Sequence, residues 1–222
     1  MNELIFFLHL ILIFSFTIGA LRLGKEALIA WIVLQSVLAN LFVLKQVSLF
    51  SLQATCTDVF ILGIMLGLNL LQEYFGTSLA KRTTFLSFGA MLVFVALSKI
   101  HLIYAPAGSD WAHNSYHGIL SHSPRILFAS LATFFIVQQF DVRFFAQLRK
   151  RFQNLHLVYR TSISIILSQA LDTVLFSFLG LYGLTDHLLS LIFVSFTIKV
   201  IIAICAAPFT AFSKKFMPAN SP

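Results

Sequence analysis

Apolar residues run along this chain in long blocks separated by short polar stretches. Seven blocks, near residues 3–21, 27–44, 57–75, 84–104, 125–141, 160–183 and 188–211, meet or approach the length needed to cross a membrane. That length is roughly 20 apolar residues of helix for a hydrocarbon core about 30 Å thick. The pattern predicts an all-α integral membrane protein, a bundle of about seven transmembrane helices in one domain over residues 1–222. The second and fifth blocks are the shortest. The first opens on Met1, Asn2 and Glu3 with no basic residue ahead of it, and Arg22 follows, so it reads as a span and not as a cleaved leader. Six spans is the alternative count, if the first block lies at the periphery.

The basic residues set an orientation. Arg22 and Lys25 follow the first block, Lys81 and Arg82 the third, and Lys214 and Lys215 the seventh. Arg143, Arg149, Lys150, Arg151 and Arg160 lie in and around the loop 142–159 after the fifth. The opposite loops hold Lys45 and Arg125. Cationic loops stay in the cytoplasm, so the N-terminus is expected outside and the C-terminus inside.

Composition agrees. The chain is 59% hydrophobic and only 10% charged, against about 25% charged in a soluble domain. The net charge of +7 resides largely in short loops; no separate basic domain exists to bind nucleic acid. Cys56 and Cys205 each lie in or beside an apolar block and read as packing residues, with neither a disulfide framework nor a zinc motif. No phosphate-binding loop, dinucleotide fingerprint or nucleophile elbow occurs. An ATPase within this chain, a cofactor and an intramembrane enzyme are therefore not expected.

Polar residues inside the blocks carry the functional signal, because a charge at mid-membrane costs about 2.5–3.5 kcal/mol. Gln169 and Asp172 share a face of the sixth block at about half depth, and Lys199 lies at similar depth in the seventh. A structural ion pair and a pair lining a solute site both account for Asp172 and Lys199. Nearer the cytoplasm, Asn69, Gln72 and Glu73 form one face of the third block, and Gln138 and Asp141 one face of the fifth. The Gln-x-x-Asp spacing recurs at 138/141 and 169/172, the kind of echo that an internal repeat leaves. An outer layer holds Asp58, Lys99, His101 and Arg125. Lys99 and His101 suit snorkelling to headgroups, and Asp58 with Arg125 suits an outer gate. His113, His117 and His122 in the outer loop 105–124 lack the fixed additional ligand that a metal needs, and read as solvated. Gly63 and Gly67 predict close helix packing, within one chain or between copies in a homodimer.

Taken in order, the strings TDVFILGIMLGLNLLQEYFGTSLAKRT, HLIYAP, SPRILFASLATFFIVQQFDV, SQALDTVLFSFLGLYG and IKVIIAICAAPF resemble the queuosine-precursor, or vitamin uptake, transporter family over about residues 55–210. The resemblance implies a bacterial inner-membrane protein that imports purine-like 7-deazaguanine bases for tRNA modification. Examples are queuine and the 7-cyano and 7-aminomethyl forms. Arg125, Gln138, Asp141, Gln169, Asp172 and Lys199 fit the family pattern, as do Glu73 and Gly76; Asn69 stands where many members have Asp. Such a base offers N–H donors beside a carbonyl. A carboxylate can accept two of those N–H bonds, which points to Glu73 or Asp172, and amides can orient the rest, which points to Asn69, Gln138 and Gln169. Lys199 would serve as counter-charge to Asp172. A secondary carrier and a binding subunit energised by a separate ATPase are both compatible with these residues.

Overall fold

A computed structural model describes residues 1–43, 45–49, 52–55, 57–121, 124–183 and 188–216; Cys56 and His122 fall outside them. The helices are α1 (Asn2–Leu23), α2 (Lys25–Leu41), α3 (Thr57–Phe75), α4 (Thr77–Ile103), α5 (His113–Leu120), α6 (Pro124–Arg151), α7 (Leu157–Phe176) and α8 (Leu188–Phe212). A hairpin of β1 (Gln46–Leu49) and β2 (Leu52–Thr55) precedes α3, paired antiparallel with Gln46 opposite Thr55. A π turn (Ser177–Leu181) ends α7 and a 3-10 turn (Ser213–Phe216) follows α8.

Six of the helices, α1, α3, α4, α6, α7 and α8, are long and apolar enough to cross a membrane. The seventh expected span, α2, has 17 residues, or about 26 Å of helix, the lower limit for crossing. The burial pattern is that of a multi-pass membrane protein. Leu4, Leu8, Ile11 and Phe16 of α1, Phe85, Val93 and Leu97 of α4, and Phe193 and Ile204 of α8 face outward. Asn69, Gln72, Gln138, Asp141, Ser164, Ser168, Gln169 and Lys199 are buried.

α3 is the axis of the bundle. It packs against α1, α2, α4, α6, α7 and α8, and every residue from Leu62 to Gln72 is buried. Gly63 and Gly67 make this possible, and they act within the chain. A Cβ on Gly63 would lie 2.1 Å from the Gln35 amide oxygen of α2 and 2.5 Å from an Ile13 methyl of α1; one on Gly67 would lie 2.8 Å from Ile32. Single glycines also join α1 to α2 and α3 to α4. Gly24 (φ 113°) and Gly76 (φ 97°) adopt backbone conformations that side chains resist, so each pair of helices reverses within one residue.

Three boundaries differ from the sequence pattern for identifiable reasons. α6 runs ten residues past the apolar block to Arg151, so most of the basic stretch 142–159 is helix and not loop. Its apolar block is short because its C-terminal end is charged. α4 likewise begins seven residues early and carries Lys81 and Arg82 on its first turns. The β hairpin and α5 occupy the two longest outer connections, where their short mixed sequences lack a transmembrane signal.

Replacing Gly63 with Ala should overpack the α1–α2–α3 contact at a cost of about 1–3 kcal/mol. Thermal unfolding in detergent should show a lower midpoint for Gly63→Ala, whereas Gly89→Ala, where nothing lies within 4 Å of the added methyl, should leave it unchanged.

Candidate functional site

Along α3 the interior polar groups fall into three layers. The outermost is an ion triad. Lys199 of α8 donates to Asp172 of α7 at 2.5 Å and lies 3.4 Å from Asp58 in the first turn of α3. Depth along each helix anticipates the Asp172–Lys199 pair. It does not anticipate Asp58, expected in a separate outer layer; the long lysine stem reaches across to it. Two carboxylates therefore share one ammonium.

The innermost layer is about 22 Å away, the 15-residue rise from Asp58 to Glu73. Glu73 accepts from Arg160 of α7 at 2.8 Å and lies 3.4 Å from Arg149 of α6. Arg149 also donates to the Gln72 carbonyl at 2.7 Å. A cavity of about 410 Å³, lined by Glu73, Ala146, Arg149, Lys150, Gln153 and Arg160, opens there. Arg160, counted from sequence among the loop cations, is buried in the first turn of α7. A second cavity, of about 300 Å³, lies at the outer end between α1, the hairpin and α3, with Asn2, His9, Phe42, Lys45 and Phe60 in its wall.

Between the two ion clusters lies a layer of polar side chains that the protein itself does not satisfy. Asp141 of α6 accepts from Ser164 and Ser168 of α7 through Oδ1, at 2.7 and 2.9 Å, while its Oδ2 has no partner. Gln169 donates to the Met65 sulfur at 3.0 Å, and its Oε1 is free. Gln138 Oε1 and both amide atoms of Asn69 are likewise buried and unpartnered among the described residues. Asn69 stands one turn along α3 from Met65. Gln72 bonds the Val142 carbonyl at 3.1 Å, which ties α3 to α6 beside Asp141. On α2, Gln35 faces Gly63 with both amide atoms unpartnered. Each buried unsatisfied group costs about 1–3 kcal/mol. A cluster of them marks a place where another molecule supplies the bonds.

Arg125 is not joined to Asp58. It donates to the Leu179 and Tyr182 carbonyls at 3.1 and 2.6 Å, capping the end of α7. The π turn leaves carbonyls open there, and a cation at a helix C-terminus is favourable. The two halves of the expected outer gate therefore serve different contacts in this conformation. Glu73 and Asp172, expected to accept from a base, are each engaged with cations. Sequence reasoning missed Ser164, Ser168, Arg149 and Gln35. Part of the signal was present: Arg160, Ser164, Ser168 and Asp172 recur every fourth residue, one polar stripe along α7.

An apolar exterior around helices that turn amides and charges inward defines a multi-pass membrane protein with a polar interior. Comparison with known proteins then places it. The family model described as "Putative vitamin uptake transporter" matches residues 55–213. The chain is also 31% identical over 215 residues to the "Probable queuosine precursor transporter" of Bacillus subtilis (strain 168), a match covering 95% of this chain and 92% of that protein. The chain belongs to this family of vitamin uptake transporters. No solved structure matches it.

Removing the shared cation should leave two part-buried carboxylates unpaired, at a cost of up to about 3 kcal/mol, the lower end of what breaking a fully buried pair costs. Lys199→Met should sharply reduce folded protein in the membrane. The triple variant Asp58→Asn, Asp172→Asn, Lys199→Met should recover much of it, as read by fluorescence-detected size exclusion. Equal losses in both would disprove the triad's pairing.

Proposed function

We propose that this protein imports queuosine precursors, 7-deazaguanine bases, across a bacterial inner membrane through seven spans, with the N-terminus outside and the C-terminus in the cytoplasm. The layer of unpartnered amide and carboxylate atoms between the two ion clusters carries the reading. A deazaguanine presents adjacent N–H donors and a carbonyl on one edge. Asp141 Oδ2 bonds to this edge, and the amides of Asn69, Gln138 and Gln169 complement its remaining donors and acceptors. The match thus relieves a desolvation cost that the unpartnered atoms otherwise bear. The named relative supports the same substrate class.

In this reading Asp58, Asp172 and Lys199 stand on the outer side of the base, and Glu73, Arg149 and Arg160 on the cytoplasmic side. Their roles are to close the path at its two ends. The basic inner cavity is the exit.

Binding of 7-cyano-7-deazaguanine to the purified protein, compared with guanine and adenine, tests the assignment directly. Gln138→Ala and Asn69→Ala should each weaken it about tenfold, the equivalent of about 1.4 kcal/mol for one lost hydrogen bond. A bacterial strain lacking both synthesis and uptake of the precursors should regain queuosine in its tRNA when it expresses the wild-type chain and is given the base. Failure of the wild type in both assays would refute the function.

A further inference from the structure

We propose that Asp141 carries a proton inward with each base, which makes this chain a proton symporter; the inference rests on the base-import reading above. The supporting observation is an imbalance of charge. Among the described residues, the part-buried carboxylates of Asp58, Asp172 and Glu73 each lie against a cation. Asp141 is completely buried and its partners are two serine hydroxyls. Hydroxyls supply hydrogen bonds but no counter-charge, and a buried carboxylate without one is costly.

The surroundings offer no substitute. α7 contributes Arg160, held by Glu73, and Asp172, held by Lys199. α3 contributes Glu73 itself. α4, which also packs on α6, carries Lys81 and Arg82, both exposed near its cytoplasmic end. On α6 itself Arg125 is held by the Leu179 and Tyr182 carbonyls, Arg149 lies against Glu73, and Arg143, Lys150 and Arg151 are exposed. The remaining neutraliser is a small cation bound at Oδ2. A proton needs that one oxygen, whereas a hard metal cation gathers about six, and Ser164 and Ser168 direct their hydrogens, not their lone pairs, at Oδ1.

The cycle conserves charge. With the outer end open, water gives a proton to Oδ2 and an O–H bond forms. The neutral acid and the neutral base cross together. With the inner end open, the O–H bond breaks and the proton leaves to cytoplasmic water. Arg160 stands one turn from Ser164 on that side, about 6 Å along α7. It can replace the proton as counter-charge to Asp141 once its pair with Glu73 opens.

The test uses the purified chain in liposomes loaded with a pH-sensitive dye, with 7-cyano-7-deazaguanine, which is uncharged, supplied outside. Uptake should acidify the lumen by about one proton per base, the charge of one carboxylate, and should follow an inward proton gradient without regard to sodium. Asp141→Asn should lose gradient-driven accumulation. Uptake by the wild type without acidification, dependence on a sodium gradient, or undiminished acidification in Asp141→Asn would each overturn the proposal. Infrared difference spectra decide the matter even if this base is not a substrate. The C=O stretch of a protonated carboxylic acid should be present in the wild type and missing from Asp141→Asn, and its absence from the wild type would refute the proton carrier. Failure of uptake for every deazaguanine, by contrast, refutes the import reading alone.

Discussion

A polar group inside a lipid-facing bundle can bond only with the protein, with trapped water or with whatever the protein carries. That constraint explains where this chain puts its few charges. Lys199 is shared by Asp58 and Asp172 from two other helices, so α3, α7 and α8 are held together by one ammonium. At the opposite end Glu73 is shared by Arg149 and Arg160, and α3, α6 and α7 are held together by one carboxylate. The two clusters are inverse in sign and similar in construction. α3 and α7 take part in both, which makes this helix pair the spine against which α6 and α8 are fastened, each at one end.

The spine also needs close approach, and glycine supplies it. With α3 seated against Ile13, Ile32 and Gln35 through Gly63 and Gly67, the α1–α2 hairpin forms a packed wall on one side of the axis. The opposite side, toward α6 and α7, is where the polar side chains gather. The division matters for mechanism. A tightly packed wall resists relative motion, whereas contacts made through ion pairs exchange partners without rebuilding a core. Motion that opens the path is therefore expected on the α6–α7–α8 side, where α7 ends in a π turn and α8 contains Pro208, which removes one helical hydrogen bond below Lys199.

Much of this was legible in the sequence because bilayer thickness converts residue number into depth. Asp172 and Lys199 could be matched that way from residue number alone, and so could the separate level of Glu73. Depth along a helix says nothing about which way its neighbours turn. Asp58 was therefore assigned to Arg125 instead of Lys199, and Arg160 to a loop instead of a partner for Glu73. Ser164 and Ser168 were passed over for another reason. Serine is common and cheap in transmembrane helices, and only its place in the four-residue stripe between Arg160 and Asp172 marks it as part of a site. The β hairpin before α3 was not readable, since its strands are four residues each and sit between blocks that dominate any hydropathy window.

The middle layer differs from both ends in a way that bears on transport. In each end cluster opposite charges lie against one another. In the layer between them amide and carboxylate atoms lack any such partner among the described residues. A solute that satisfies them gains hydrogen bonds that water-filled solution also offers, but it relieves a cost that only the protein bears. Binding energy of that kind is strongest when the site is closed and dry, and weakest when either end admits water to compete. On the proposed reading the geometry couples occupancy to closure, and closure at both ends is the intermediate that a carrier must populate if it is not to leak.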